Sequence, residues 1–261
     1  MISVRNLVKR FGDRAVLDGV TVDIPEGKIT VIMGGSGCGK STFLRHLIGL
    51  YQPDEGEILI DGQNIVGLSE KPMNGVKRKF GMLFQGSALF NSMTVGENVA
   101  LPLREHTDLS DEIIGIIVKV KLELVGLTGF ENFMPHEISG GMKKRVALAR
   151  AIALDPKIVF YDEPGAGLDP ITASMIDQLI LDLSRKLKIT SVVVSHEMKS
   201  AFRIADQMIV LHRGKVLEVG TSQQIQETTN PYIRQFINGE PEGAIPFLQT
   251  SDAYLKGLLQ N

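Results

Sequence analysis

Short apolar runs separated by turn-forming residues dominate the N-terminal part of the chain. Three of these runs, ISVRNLV, VTVDI and KITVIM, are divided by turn residues at positions 12–13 and 25–27, and a fourth, EILIDG, follows a turn at positions 53–56. Runs of this length that are rich in β-branched residues and bounded by glycine, proline and aspartate predict β-strands. We therefore expect the N-terminal region to be built mainly from strands.

The spacing of apolar residues changes to a helical period from about residue 85 to residue 154. Within this section, helices are predicted near residues 94–102, 111–125 and 139–154. Strand-like runs return at KIVFYD and TSVVVS, with a helical stretch over residues 171–187 between them. This alternation of apolar strands with helices predicts an α/β fold whose mostly parallel sheet is covered on both faces. The helical section over residues 86–154 then forms a lobe that is inserted into this core.

The chain changes character after the last predicted strand. Two short helical runs follow Thr221, and the loop-like segment GEPEGAIPF comes after them. We therefore divide the chain into a core over residues 1–220 and a C-terminal extension over residues 221–261.

The amino-acid composition and charge of the chain exclude several classes of protein. The 261 residues are 43% hydrophobic and 22% charged, which is ordinary for a packed domain and excludes a disordered or disulfide-scaffold protein. The chain has 28 Lys and Arg residues against 30 Asp and Glu residues, so it lacks the basic excess of a dedicated nucleic-acid binder. No run approaches the ~20 apolar residues of a membrane-spanning helix, and charges interrupt the N-terminus where a secretory signal is apolar. We expect a soluble chain that reaches a membrane only by docking onto another protein.

The segment GGSGCGKS at residues 34–41 matches the pattern G-x-x-x-x-G-K-[ST] and lies between a predicted strand and a predicted helix. In this context the pattern predicts a phosphate-binding loop, because glycines let main-chain N–H groups surround a phosphate at a helix N-terminus. We expect Lys40 to reach the β- and γ-phosphates and the Ser41 hydroxyl to bind Mg²⁺. The residues of this segment that we expect at the nucleotide are Gly34, Gly35, Ser36, Gly37, Cys38, Gly39, Lys40, Ser41 and Thr42. Cys38, the single cysteine, occupies a variable position of the loop, where an inert residue is favoured over a redox sensor.

Two adjacent carboxylates, Asp162 and Glu163, follow the apolar strand IVFY. An aspartate at such a strand end suits the binding of Mg²⁺. Because successive side chains of a strand alternate in direction, Glu163 is expected to point away from the metal and to polarise the attacking water. An acidic pair at a strand end also fits a solvated turn, and its combination with the phosphate loop is what favours catalysis.

Further motifs give the chain a specific resemblance. The segment ISGGM at residues 138–142, followed by KKRVALARAIALDP, resembles the signature sequence and helix of ATP-binding cassette (ABC) ATPases. The resemblance covers roughly residues 1–220 and implies a P-loop NTPase fold with a RecA-like core, an N-terminal antiparallel β subdomain and an inserted helical subdomain. The signature departs from the usual Leu-Ser-Gly-Gly-Gln at Ile138 and Met142, while its serine and both glycines are kept.

The resemblance to ABC ATPases also implies roles for single residues. Gln85 follows the strand FGMLF as the Q-loop glutamine does, and His196 follows TSVVVS as the switch histidine does. Leu168-Asp169 resembles the D-loop of these enzymes, and Phe11 stands where an aromatic residue stacks on adenine. The implied catalytic residues are Glu163, His196, Gln85 and Lys40, and the implied Mg²⁺ ligands are Ser41, Gln85 and Asp162.

Ser139, Gly140 and Gly141 stand at the start of a predicted helix and form a second anion site. Because the phosphate loop of the same chain already holds the phosphates, a second site favours a second copy of the chain. The resemblance implies a head-to-tail homodimer in which the signature of one chain closes on the ATP of the other. Its association would then depend on the nucleotide state. A helix N-cap is a further reading of Ser139, and both can hold together.

Three segments that are less specific than these motifs indicate a particular group of ABC ATPases. The run GMLFQGSALFNSMTVGENVALPLREHTDLS, the SGGM signature and the late GEPEGAIPF resemble the ATPases of Mla (maintenance of lipid asymmetry) phospholipid transporters. This implies an inner-membrane permease dimer, an MCE-domain lipid carrier, and a position on the cytoplasmic face of the inner membrane. Some relatives also bind a STAS-domain protein, and the resemblance leaves that partner open here. The alternatives are an ATPase of an amino-acid or lipoprotein permease, or an ABC protein outside transport, and no nucleic-acid partner is expected.

Two surfaces are expected to meet protein partners. The region after Gln85 would form a groove for a permease helix, and packing of the helical lobe is the other interpretation of its apolar residues. The apolar residues expected along this groove are Leu89, Phe90 and Met93, with Arg104 and Glu105 as charged neighbours. The tail after residue 231 is expected to grip the partner ATPase, and a frayed terminus is its alternative. The tail residues that need a surface to cover are Tyr232, Ile233, Phe236, Ile245, Pro246 and Phe247.

Overall fold

A computed structural model describes residues 2–245, which form two β-sheets with helices packed around them. The strands are β1 (Ile2–Phe11), β2 (Arg14–Ile24), β3 (Ile29–Met33), β4 (Glu55–Ile60), β5 (Gln63–Asn64), β6 (Phe80–Leu83), β7 (Ile158–Asp162), β8 (Thr190–Val194), β9 (Gln207–His212) and β10 (Lys215–Gly220). The helices are α1 (Lys40–Leu47), α2 (Glu70–Lys77), α3 (Val95–His106), α4 (Asp111–Leu124), α5 (Gly140–Ala151), α6 (Pro170–Leu187), α7 (Met198–Ile204), α8 (Ser222–Glu227) and α9 (Pro231–Asn238). One turn of 3-10 helix over Pro135–Glu137 precedes α5.

The larger sheet has six strands in the order β10-β9-β3-β8-β7-β6. The five strands from β9 to β6 are parallel, and β10 pairs antiparallel with β9 at one edge. The smaller sheet, in the order β2-β1-β4-β5, is antiparallel throughout. This arrangement confirms the predicted α/β fold class, with its mostly parallel core sheet and its N-terminal antiparallel strands.

The central strands of the larger sheet are apolar at successive positions because both faces of the sheet are buried. On one face, Phe160 and Val192 pack in a cluster with α1 and the smaller sheet. On the other face, Val159 and Val193 pack in a cluster with α3, α4, α5 and α6. The continuous apolar runs of these strands in the sequence therefore correspond to a sheet that is covered on both faces.

The three helices predicted in the middle section are present as α3, α4 and α5. Helix α5 packs against α3 and α4 and also against β6 and α6, so it joins the helical section to the larger sheet. The sequence patterns did not single out β9 and β10. Strand β10 lies at a sheet edge with half-exposed side chains, so its apolar alternation is weak.

The carboxyl ends of β3, β8, β7 and β6 lie side by side, because these neighbouring strands are all parallel. The predicted phosphate loop, His196, the acidic pair and Gln85 lie at these strand ends or in the loops that follow them. Open α/β sheets bind their ligands at this edge. The fold thus gathers residues that are far apart in the sequence at one place.

Candidate functional site

The phosphate loop connects β3 to α1 and requires glycine at two positions. Gly34 has φ +147°, and a Cβ atom there would overlap the carbonyl oxygen of Leu211. Gly39 has φ +107°, and its Cβ would lie 2.8 Å from the carbonyl oxygen of Val16. Other residues rarely adopt such backbone angles, so these glycines set the curve of the loop.

Lys40 is the first residue of α1 and is buried within the loop. Its Nζ donates hydrogen bonds to the carbonyl oxygens of Gly34, at 2.8 Å, and Gly35, at 3.1 Å. The N-cap residue is Gly39, which has no side chain and therefore cannot accept a hydrogen bond from the first N–H groups of α1. A helix start with open N–H groups beside an ammonium group is a site for a phosphate anion.

Cys38 packs inside this loop and is 6% exposed. Burial raises the pKa of its thiol, and its carbonyl oxygen accepts from the N–H of Gly214 at 3.1 Å. A buried thiol with a raised pKa carries little thiolate and reacts slowly. The structure therefore favours an inert packing position for Cys38.

The acidic pair lies where β7 ends. Asp162 is the last residue of the strand, while Glu163 lies outside it with φ +48°, and its N–H donates to the carbonyl oxygen of Val194 at 2.9 Å. Strand alternation, which the sequence suggested as the reason that the two side chains diverge, therefore does not extend to Glu163. The left-handed backbone at that residue sets its direction instead.

Glu163 and His196 are in direct contact. The Nδ1 of His196 lies 2.7 Å from Glu163 Oε2, and the Glu163 side chain is 14% exposed against 60% for His196. Burial and the neighbouring charge of Glu163 raise the pKa of Asp162, while Arg45, Lys144 and Lys40 oppose that shift. The two adjacent carboxylates therefore repel each other, and the cations around them partly offset that repulsion.

Gln85 follows β6 with an exposed side chain. Its main-chain oxygen accepts a hydrogen bond from Nζ of Lys144, a residue of α5 that sequence reasoning missed. Lys144 is 4% exposed, although lysine is almost never fully buried unless it is paired, so the sequence gives no signal for this contact.

The signature segment forms the start of α5. Ser139 is the N-cap, and its Oγ accepts from the N–H of Met142 at 3.2 Å, so the N-cap reading is confirmed. Ser139 and Gly140 are exposed, whereas Gly141 is buried and a Cβ there would lie 2.5 Å from Thr172 Cγ2. This helix start is therefore open to a ligand from outside the chain and packed against α6 from inside.

Phe11 ends β1 with half of its surface exposed. Its ring meets Tyr51 edge to face at 6.0 Å, and Lys9 Nζ lies 5.7 Å from the ring centroid. An exposed ring that is positioned by such contacts can stack on an aromatic base.

A groove of about 580 Å³ lies between α2, β6, α3 and α5. Of the expected apolar lining, Phe90 faces this groove together with Phe84, whereas Leu89 packs against the core and Met93 does not line the groove. The expected charged neighbour Arg104 pairs with Asp111 at 3.0 Å. The groove therefore shares only Phe90 with the expected apolar lining.

The reason for this difference is Asn98, a fully buried residue of α3 that sequence reasoning also missed. Its side chain accepts from the N–H of Phe90 at 2.8 Å and donates to the carbonyl oxygens of Phe90, Met93 and Thr94. These four bonds fold the connection before α3 into a compact turn. That turn leaves Phe90 half-exposed beside the groove.

Comparison with models of protein families identifies the family of the chain. The ABC transporter family matches residues 17–166. The chain belongs to the ABC transporter family. It is therefore an ATPase that binds ATP and ADP, as the cassettes of this family do.

Several relatives match along most of the chain. MlaF of Haemophilus influenzae, an intermembrane phospholipid transport system ATP-binding protein, is 44% identical over all of this chain and 98% of its own length. MlaF of Escherichia coli strain K12 is 44% identical over 99% of this chain and 96% of that protein. A probable ribonucleotide transport ATP-binding protein, mkl of Mycobacterium leprae, is 44% identical over 96% of this chain and 72% of that protein.

Solved cassettes share the fold. The dimeric post-hydrolysis form of the ATP-binding cassette MJ0796, bound to ADP and Pi, superposes with a TM-score of 0.78 at 34% identity over 85% of this chain and 99% of that one. The cbiO1 protein of Clostridium perfringens, part of the transporter complex cbiONQ, gives a TM-score of 0.81 at 27% identity over 100% of this chain and 98% of that one.

Proposed function

We propose that this chain is the ATP-hydrolysing subunit of a transporter that moves phospholipid through an inner-membrane permease. The observation that carries the proposal is the end-to-end match to MlaF, a phospholipid transport ATPase, which includes 98% of that protein. The ribonucleotide transport relative has the same identity, but this chain spans only 72% of it. Ribonucleotide transport is therefore the second candidate.

The nucleotide would be held along the carboxyl edge of the larger sheet. Phe11 would stack on the adenine, the loop at residues 34–42 would surround the phosphates, and Lys40 would turn from its carbonyl partners toward them. Mg²⁺ offsets charge on the β- and γ-phosphates when bound. Its expected ligands, Ser41, Gln85 and Asp162, offer the hard oxygen donors that this ion prefers, and one carboxylate completed by phosphates is its usual protein site.

Glu163 would act as the general base of hydrolysis. It accepts a proton from the water that attacks the γ-phosphorus, while the bond to the β–γ bridging oxygen breaks. The hydrogen bond from His196 holds the carboxylate in one orientation. Gln85 would position the same water and contact the metal.

The second anion site would act in a homodimer. Ser139, Gly140 and Gly141 start α5 at the surface, where the ATP of a second copy can reach them. The dimeric form of the related cassette MJ0796 supports this arrangement. We infer that ATP joins the two copies and that hydrolysis releases them.

The membrane partners follow from the Mla-like match. Within residues 2–245, no helix combines the length and apolar character needed to cross a bilayer. By analogy with the phospholipid transport relatives, ATP hydrolysis would drive a permease dimer whose cytoplasmic helix lies in the groove beside Phe84 and Phe90. An MCE-domain protein would accept or supply the lipid, a STAS-domain protein is a further partner to be sought, and the ATPase would lie on the cytoplasmic face of the inner membrane.

A reconstitution separates the two candidate substrates. The chain is co-purified with its membrane partner and placed in proteoliposomes that contain a fluorescent phospholipid or enclose radiolabelled ribonucleotides. ATP-dependent movement of the phospholipid, absent with Lys40→Ala, is the expected result. Movement of ribonucleotide without phospholipid would assign the second function, and movement of neither would contradict both.

A further inference from the structure

Helix α5 holds the loop after β6 through hydrogen bonds to three of its main-chain carbonyl oxygens. Lys144 Nζ donates to the carbonyl oxygen of Gln85. Arg150 donates through Nη2 to the carbonyl oxygen of Ser87 at 2.8 Å and through Nη1 to that of Ala88 at 2.7 Å. Two cations from one helix therefore bind the loop that presents the Gln85 side chain.

The shape of this loop needs outside support. Ser87 has φ +63° and Ala88 has φ +47°, and a left-handed backbone is unfavourable at residues other than glycine. The loop itself supplies one backbone hydrogen bond, from the N–H of Ser87 to the carbonyl oxygen of Phe84 at 2.9 Å. Lys144 and Arg150 supply further hydrogen bonds, because they donate to the carbonyl oxygens of this strained loop.

The position of Lys144 is costly for a structural residue alone. Its ammonium group is withdrawn from water, and burial lowers its pKa, while Asp162 and Glu163 oppose that shift. Buried charges persist in proteins where they are hydrogen-bonded and paired. Lys144 thus donates to the Gln85 backbone while the charges of Asp162 and Glu163 act on its ammonium group, and all three of these residues belong to the proposed site beside the γ-phosphate.

We propose that Lys144 and Arg150 are positioning residues that fix the 85–88 loop to α5, so that the Gln85 side chain follows the movement of this helix. The inference rests on the proposed role of Gln85 in hydrolysis. Helix α5 begins at Ser139 and Gly140, the proposed contact to the ATP of a second copy. Arg150 and Ala88 line the groove proposed for the permease. Helix α5 therefore connects the proposed contact to the partner nucleotide, the proposed permease groove and the loop that carries Gln85.

A double-mutant cycle tests the inference on the full-length chain in its membrane complex, with ATP hydrolysis as the readout. Lys144→Met removes the donor at similar side-chain volume, and Gln85→Ala removes the group that the donor positions. We expect Lys144→Met to lower kcat about 10-fold with KM for ATP changed less than about 3-fold, the size of effect that misplacement of a catalytic group produces. The double variant should be no slower than Gln85→Ala alone, and Lys144→Arg should restore most of the rate.

Arg145 supplies the matched control. It also lies on α5 and donates to main-chain oxygens, but those belong to Val125 and Gly126. Arg145→Met should combine additively with Gln85→Ala. Amide hydrogen exchange of a peptide spanning residues 84–90 should speed up in Lys144→Met and stay unchanged in Arg145→Met.

Three results would overturn the inference: a normal kcat in Lys144→Met, multiplied effects in the double variant, or a loss that Lys144→Arg does not restore. If Lys144→Met does not fold, Arg150→Gln takes its place in the same cycle with the same criteria. The cycle reads hydrolysis alone. Failure of phospholipid movement in the reconstitution would therefore refute the proposed substrate without changing the result of this test.

Discussion

Glu163 and His196 show how a backbone angle brings two side chains of the proposed site into contact. The two residues follow neighbouring parallel strands, and the left-handed turn at Glu163 brings its carboxylate to the imidazole 2.7 Å away. A carboxylate that is largely buried and held by a hydrogen bond has a defined orientation toward a water molecule. This is what a general base requires before substrate arrives.

Glu163→Gln should keep ATP binding and remove most hydrolysis. The amide has the same size and can still accept from His196, but it cannot take a proton, and general-base assistance is worth ~10²–10⁴-fold in rate. The measurement is phosphate release together with ATP-dependent dimer formation on a sizing column. We expect a dimer that persists with ATP.

Lys40→Ala is the contrasting variant, because it should weaken nucleotide binding itself and give no ATP-dependent dimer. Hydrolysis at the wild-type rate by Glu163→Gln would show that the assigned base is wrong.

His46 predicts an acid-sensitive stability. It is fully buried, its Nδ1 lies 2.7 Å from the carbonyl oxygen of Thr42, and burial lowers its pKa. The unfolded chain takes up a proton near the ordinary pKa of 6.5 while the folded chain resists it, so this contribution is constant above that pH and falls as pH decreases below it. His46→Asn should reduce the loss of unfolding free energy between pH 7 and pH 5, as measured by urea denaturation. An unchanged slope would contradict this.

The helices begin where the sequence places side-chain acceptors. In the described chain, the N-cap residues whose side chains accept a main-chain N–H are Thr94, Ser110, Ser139, Asp169, Thr221 and Asn230. Such residues satisfy N–H groups that a helix start leaves without partners. Helix starts are consequently the element boundaries that local sequence determines best.

Thr94→Ala should destabilise the helix that forms one wall of the groove. Thr94 and Glu97 form a capping box at the start of α3, with bonds of 3.1 and 2.7 Å. Loss of the side-chain oxygen is expected to cost about 1 kcal/mol of unfolding free energy, measured by urea denaturation. Thr94→Ser keeps the acceptor and should lose less than half as much, and equal losses would mean that the cap is not the cause.

The proposed permease contact belongs to the whole assembly and can be tested at the groove. In a Cys38→Ala background, a cysteine at Phe90 should form a disulfide with a cysteine in the cytoplasmic loop of the permease. Met93→Cys is the matched control, because Met93 is nearby but does not line the groove. Equal crosslinking at both positions, or none at Phe90, would count against docking there.

The C-terminal extension begins as part of the core. Ile233 is buried and Phe236 packs against the main cluster, so neither is free to cover a partner as expected, while Tyr232 is 38% exposed. The Gln235 side chain bonds the main chain of Glu240 and Ile245, which folds residues 240–245 back onto α9. Pro246 and Phe247 lie outside the described residues.

Truncation after Gly239 should weaken the dimer and leave the nucleotide residues intact. The expected result is a lower dimer fraction of Glu163→Gln with ATP, measured by sizing chromatography with light scattering. Truncation after Ile245 keeps the Gln235 bonds and shows whether the folded-back segment or the remaining tail is responsible. An unchanged dimer fraction in both truncations would remove the tail from the interface.

The site divides into residues that sequence could predict and residues that it could not. The phosphate loop and acidic pair could be found because their chemistry requires particular residue types at short spacing beside a strand. Lys144 and Asn98 could not be found. Their partners are main-chain carbonyl and N–H groups, which nearly every residue carries, so no sequence pattern marks either residue.

The order of residues along the chain therefore determined most of the strands, the helix starts, the nucleotide loop and the motifs that mark the family of this ATPase, because each depends on neighbours within a few positions. Folding determined the direction of Glu163, the lining of the groove and the attachment of the Gln85 loop to α5. These depend on side chains that meet across tens of residues, where apolar periodicity reports that a position is buried but carries no information about its contact.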